Sequence, residues 1–208
     1  MSKRSTIYID GFNLYYGAIK NTRWKWLNLE RFFTLLRQDD DIHAIKYFTA
    51  LTSGSHKPNQ EAYLLALETL PKVDILLGKF KRRTVECRVK PCNYTGTRLF
   101  DMPEEKRTDV NIALHMLHDA VSDNCDRFIL VSGDSDLVPA IQMVKNVSPE
   151  KEIIVYVPAN NPIRGAAVEL RTAADKHRTL PNALLRKAQF PAKVPDGKGG
   201  MIVKPATW

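Results

Sequence analysis

Apolar residues along this chain fall into two alternating patterns. Short runs rich in apolar and β-branched residues at 6–9, 42–51, 73–77, 128–131 and 153–157 read as strands. The run at 128–131 has the continuity of a strand buried on both faces of a parallel sheet. Between the runs, apolar residues recur at spacings of three and four. Leu29, Phe32, Phe33 and Leu36 follow Asn28 as N-cap, and Tyr63, Leu64, Leu67 and Leu70 follow Pro58 in a first turn. Ile112, Ala113, Met116, Leu117 and Ala120 form another such stripe, and Leu137, Ile141 and Val144 a further one. Helices also begin over 12–19 and over 165–174, the latter with Ala167, Val168 and Leu170. Strands alternating with helices of this length predict βαβ units, hence an α/β fold with a mainly parallel central sheet.

Two of these strands run directly into carboxylates. The strand at 6–9 ends in Asp10, followed by Gly11, Phe12 and Asn13, and the strand at 128–131 leads to Asp134 and Asp136. Open α/β sheets bind ligands at that edge. Gly11 lets the chain turn sharply and brings Asn13 into a first helical turn near Asp10. The competing use of these residues is helix capping. Asp109 differs, because the apolar residues 3, 4, 7, 8 and 11 positions after it place it on the stripe its helix buries. A carboxylate there must be protonated, paired or bound to a cation, unless it serves the amides and dipole of the first turn. His115 and His118 fall off that face and read as surface residues, with no partner spacing for zinc.

Residues 79–90 change character. Lys79, Lys81, Arg82, Arg83, Arg88 and Lys90 dominate an exposed ribbon or edge, where they suit phosphates while Phe80, Tyr94 or Phe100 stack on bases. Protection of an edge strand by cations explains the same pattern. Residues 91–105, with Pro91, Gly96 and Pro103, read as a loop, mobile until substrate binds. From Pro181 onward, prolines and glycines resist regular structure. The expected organisation is one domain over 1–180 and a C-terminal tail over 181–208, docked or flexible.

Composition adds constraints. The 208 residues are 44% hydrophobic, enough for one sizeable core. A formal charge of +8 and a pI near 9.4 favour polyanionic partners, although a solvated basic surface has the same composition. Cys87, Cys92 and Cys125 form no paired spacing, which argues against a disulfide framework or structural zinc and fits a reducing cytoplasm. No stretch suits a membrane span or a secretory leader. A homodimer is compatible with the sequence. Neither a GxxxxGK[ST] loop nor a GxGxxG turn occurs, which disfavours a nucleotide triphosphatase.

Asp10, Asp109, Asp134 and Asp136 thus come from three segments expected to meet at one sheet edge. All-oxygen clusters suit Mg²⁺ or Mn²⁺, and the chemistry they serve best is phosphodiester hydrolysis. The segments YIDGFNLYYG at 8–17, EEKRTDVNIALHML at 104–117 and ILVSGDSDLVPAI at 129–141 resemble the LabA-like branch of the NYN domains, within the PIN-like nuclease superfamily. The resemblance covers 5–175. It implies a PIN-like three-layer α/β/α sandwich and a metal-dependent ribonuclease acting on single-stranded or structured RNA. By matching position it assigns Asp10, Asp109, Asp134 and Asp136 to metal and Asn13 to the polar lining of a catalytic site. Lys106 lies close enough in sequence to offset charge. Arg107 departs from the pattern, standing where a small residue, often glycine, precedes the helix aspartate. Two alternatives remain: an RNA-binding regulator that does not cut, and a small-molecule phosphohydrolase, which would want a second acid where Phe12 stands.

Overall fold

The computed structural model of the protein describes residues 2–158 and 168–208. In chain order its first elements are β1 (Lys3–Asp10), α1 (Gly11–Leu14), α2 (Leu29–Leu36), β2 (Asp40–Thr49), α3 (Lys57–Glu68), β3 (Val73–Leu77), β4 (Lys79–Glu86) and β5 (Leu99–Lys106). There follow α4 (Thr108–Val121), β6 (Arg127–Val131), α5 (Val138–Val147), β7 (Glu152–Val157), α6 (Val168–Ala173) and β8 (Lys176–Thr179). The remaining elements are α7 (Asn182–Lys187), β9 (Lys193–Pro195) and β10 (Met201–Val203).

A six-stranded sheet in the order β3-β2-β1-β6-β7-β8 forms the middle layer, and every neighbouring pair in it is parallel. Alternation along the strands divides the apolar residues between two cores. Ile7, Ile9, Ile45, Ile129 and Ile154 face α2, α3 and α7, whereas Tyr8, Phe48, Phe128, Leu130 and Val155 face α4, α5 and α6. Helices therefore cover both faces of the sheet, the α/β/α sandwich expected.

Three expectations are revised. Residues 99–106 are not loop but strand β5, paired antiparallel with β4 along its length. Pro and Gly punctuation concealed it, because Pro103 sits in a two-stranded ribbon, where a missing donor costs little on an outer edge. Beyond Pro181, α7, β9 and β10 are regular despite the composition, since Leu185, Phe190 and Val194 bury themselves in the same core as Ile7. The helix expected over 12–19 is α1 followed by a π-helical turn at Tyr15–Ile19. The expected helix at 165–174 appears as α6, and its first residues, 165–167, lie outside the described residues.

Candidate functional site

The strand order reverses between β1 and β6, because the chain after β1 adds strands on one side and the chain after β6 adds them on the other. Such a switch point opens a crevice beyond the carboxyl ends of its two strands. Asp10 closes β1 there and is only 3% exposed. Its Oδ1 accepts from the Asn13 backbone N–H at 2.9 Å, and its Oδ2 accepts from Asn13 Nδ2 at 2.5 Å and Ser132 Oγ at 3.1 Å. Asn13 also accepts from the Gly133 N–H at 3.1 Å. One amide thus ties the two strand ends together, a positioning role rather than mere lining. Gly11 is required for space more than for turning, since a Cβ there would lie 2.8 Å from the Phe48 carbonyl oxygen and from Tyr47 Oη.

Ser132 Oγ, fully buried, also accepts from the Asp134 N–H at 3.1 Å, and Asp134 Oδ1 accepts from the Asp136 N–H at 3.0 Å. Asp134 therefore caps the turn at Ser135–Leu137 while its charge reaches Asp10 and Asp109. Burial pushes the Asp10 carboxyl above its usual pKa, bonds from Asn13 and Ser132 pull it back, and Asp134 raises it further. Asp109, half-buried at the start of α4, is pushed up to about 6 by burial and by repulsion from Asp10, Asp134 and Asp136. Asp109 thus lies within electrostatic reach of the other three aspartates, and Asp10 within reach of Asp134.

Glu105 joins them, and the sequence reading missed it. Burial raises its carboxyl to about 7, with the Asp10 and Asp109 charges adding to the shift and a bond from Thr108 Oγ1 opposing it. Its place four residues before Asp109 was visible, but its side of the chain was not while β5 read as loop. Ser132 was equally hidden among strand-end serines. The fully buried acid on α4 is Asp119, which accepts from Tyr8 Oη at 2.6 Å and Lys46 Nζ at 2.5 Å and supports the core away from the site.

The basic residues divide. In the β4–β5 register Lys79 opposes Lys106, Lys81 opposes Glu104 and Arg83 opposes Met102, so these residues share one face of the ribbon. Arg82 lies on the other face with Phe80 and Glu105, the side turned to the acids. Arg88 follows the end of β4 and is exposed. Lys106 pairs with Glu104 at 2.7 Å rather than with the aspartates. Phe80 is half-buried against Phe12, ring centroids 5.5 Å apart, while Tyr94 and Phe100 stay exposed. Arg107 caps α4 at φ +80°, the left-handed region where glycine is at ease. His118 is exposed, whereas His115 packs on Phe48 at 5.5 Å between ring centroids.

Donor type and charge fit a hard divalent cation. Among the described residues no lysine or arginine forms an ion pair with Asp10, Asp109, Asp134, Asp136 or Glu105, and three of these carboxyls are held above their usual pKa. In this arrangement no three His, Cys, Asp or Glu side chains among the described residues converge closely enough to ligate an ion.

The NYN domain profile matches residues 4–181. The chain belongs to the NYN domain family. NYN domains are generally nucleases, often metal-dependent hydrolases, so membership makes an enzyme of this class the coarse assignment. The protein is 28% identical to 6-hydroxy-3-succinoylpyridine 3-monooxygenase HspA of Pseudomonas putida (strain DSM 28022 / S16), over 99% of this chain and 75% of that one. It shares its fold with a protein of unknown function, VPA0982, from Vibrio parahaemolyticus RIMD 2210633. That match has a TM-score of 0.56 at 19% identity and covers 86% of this chain and 94% of the other. Among the described residues no helix of this NYN protein is long and apolar enough to cross a membrane.

Proposed function

We propose that this NYN protein is a Mg²⁺- or Mn²⁺-dependent endoribonuclease that hydrolyses RNA phosphodiester bonds at the crevice between β1 and β6. The observation that supports it most is a group of mutually repelling carboxylates, without basic partners among the described residues, at the switch point of a parallel sheet. Asp10, Asp109 and Asp134 would hold the cation, with Asp136 completing the set. When bound it would acidify a water and stabilise charge on the departing oxygen. The chain's own groups divide the remaining work. Asn13 and Ser132 fix the Asp10 carboxylate, and Glu105, whose carboxyl is raised by burial and by the Asp10 and Asp109 charges, lies on the same side as the aspartates. Arg82, on the ribbon face turned to the acids, suits a phosphate of a bound strand.

A non-cleaving RNA-binding protein is the second reading, and the unconverged carboxylates and the basic ribbon favour it. Incubating single-stranded and structured RNAs with Mg²⁺, Mn²⁺ or EDTA separates the two. The nuclease reading expects metal-dependent scission, abolished by EDTA and lowered about a hundredfold or more by Asp134→Asn. Retention of RNA on a filter without scission under every metal condition establishes the second reading. The activity named for the Pseudomonas relative is tested on the same preparation by following 6-hydroxy-3-succinoylpyridine with O₂ and a two-electron donor.

A further inference from the structure

Behind the α1 turn, on the side of the sheet away from α4, lies a cavity of about 190 Å³ that the acidic site does not use. Its walls are aromatic, formed by Phe12, Tyr15, Tyr16, Tyr47, Tyr63 and Trp208. The deep walls are packed against one another. Tyr47 and Tyr63 are buried with ring centroids 6.3 Å apart, Tyr63 donates to the Leu27 carbonyl at 2.9 Å, and Trp208 leans on Tyr63 at 5.4 Å. Tyr16, by contrast, is 59% exposed, and Lys20 sits over its ring at 4.7 Å.

The cationic side chains lie at the lining itself, while the nearest acids, Asp10 and Glu105, reach it only through Tyr47. Lys20 and Lys25 line it, no aspartate or glutamate does, and among the described residues neither lysine forms an ion pair. Gln60, which also lines it, spends its amide on Thr52 and Ala50, so the polar floor is already satisfied. A ligand would gain by stacking and by neutralising the two ammonium groups, rather than by filling vacant hydrogen bonds. The volume suits one ring system, since roughly 150 Å³ of apolar cavity accommodates benzene.

We infer that this cavity is a binding site for one planar aromatic ring carrying an anionic group, held between the tyrosine walls with its charge on Lys20 and Lys25. A base of a nucleic-acid strand, with its phosphate, is the source the surroundings favour. Rings run in contact from Phe80 of the basic ribbon to Phe12 at 5.5 Å, and from Phe12 to Tyr16 at 6.2 Å, so a strand lying on the ribbon is led to the cavity's mouth. A free aromatic acid presents the same chemistry. The inference stands on the cavity and needs no cleavage by the acids.

Calorimetric titration of the full chain in EDTA tests it, with uridine and adenosine monophosphates, uridine, ribose 5-phosphate and benzoate as probes. Ring plus anion should bind about tenfold or more tightly than uridine or ribose 5-phosphate alone. Benzoate matching the nucleotides would make the source a free aromatic acid, and nucleotides alone would make it a nucleic-acid base. Tyr16→Ala and Lys25→Ala alter side chains at the cavity's mouth and should each weaken binding about tenfold. Ribose 5-phosphate binding as tightly as the nucleotides, unchanged affinity in both variants, or no heat from any ring acid at about 1 mM overturns the site. Intact binding with failed RNA cleavage removes the nuclease reading alone, and the converse removes the cavity's role alone.

Discussion

Arg107 shows how a single backbone angle ties strand β5 to the site. Glu105 and Asp109 flank it by two residues on either side, and the turn that aims both inward needs φ +80° at Arg107. An L side chain pays about 1 kcal/mol there. Arg107→Gly should raise the unfolding free energy in urea by on the order of 1 kcal/mol, while Arg107→Ala, which keeps a Cβ, should give no such gain. Asp109 gives a sign that pH can read. Its folded carboxyl titrates near 6, raised by burial first and then by Asp10, Asp134 and Asp136. Against an unfolded value of about 3.9, the folded state binds more protons between the two, so stability falls as pH rises through that window. In EDTA, Asp109→Asn should therefore be more stable than wild type above about pH 6, by about 1 kcal/mol after allowance for solvent screening of a half-buried group. The difference should vanish below about pH 4, and melting curves across the range check it. The placement of Asp10, Asn13, Asp109, Asp134 and Asp136 was legible because strand ends and a helical stripe leave local marks. The neighbourhoods of Glu105 and Ser132 were not, since they depend on which distant side chains the two residues meet.

At the scale of elements, the β4–β5 ribbon carries most of the argument for a polyanion. Replacing Arg82 and Arg83 together with alanine should weaken RNA binding and flatten the slope of log affinity against log salt by about 1.4, at ~0.7 per lost single-strand phosphate contact. The single variants should differ. Arg82 shares its face with Glu105, whereas Arg83 lies on the opposite face, 3.8 Å from Glu104, so Arg82→Ala should be the costlier for RNA that reaches the acids. Filter binding from low to moderate salt measures both. The ribbon's first strand was readable from its cations and β-formers, but β5 was not. A strand held only by its partner has no buried stripe, and every residue of β5 from Leu99 to Pro103 is exposed.

Across the whole molecule, the chain beyond Pro181 closes the fold rather than trailing from it. Trp26 Nε1 donates to the Pro191 carbonyl at 2.8 Å, the Phe190 N–H returns to the Trp26 carbonyl at 2.9 Å, and Trp208 packs on Trp26 with ring centroids 6.3 Å apart. Phe190→Ala should lower the unfolding free energy by about 3 kcal/mol, read as a drop in melting temperature, because it empties a site in the core shared with β1. Hydrophobic periodicity alone was enough to determine the alternation of strands and helices, the parallel sheet and the carboxylates at its strand ends, because burial on one or both faces is written locally at periods of 2 and 3.6. Which strand lies beside which is not written locally. The adjacency of β1 and β6, the turn of Glu105 toward Asp10, and the meeting of Trp208 with Tyr63 follow from hydrogen bonding and packing between segments far apart in the chain, and only the tertiary structure decided them.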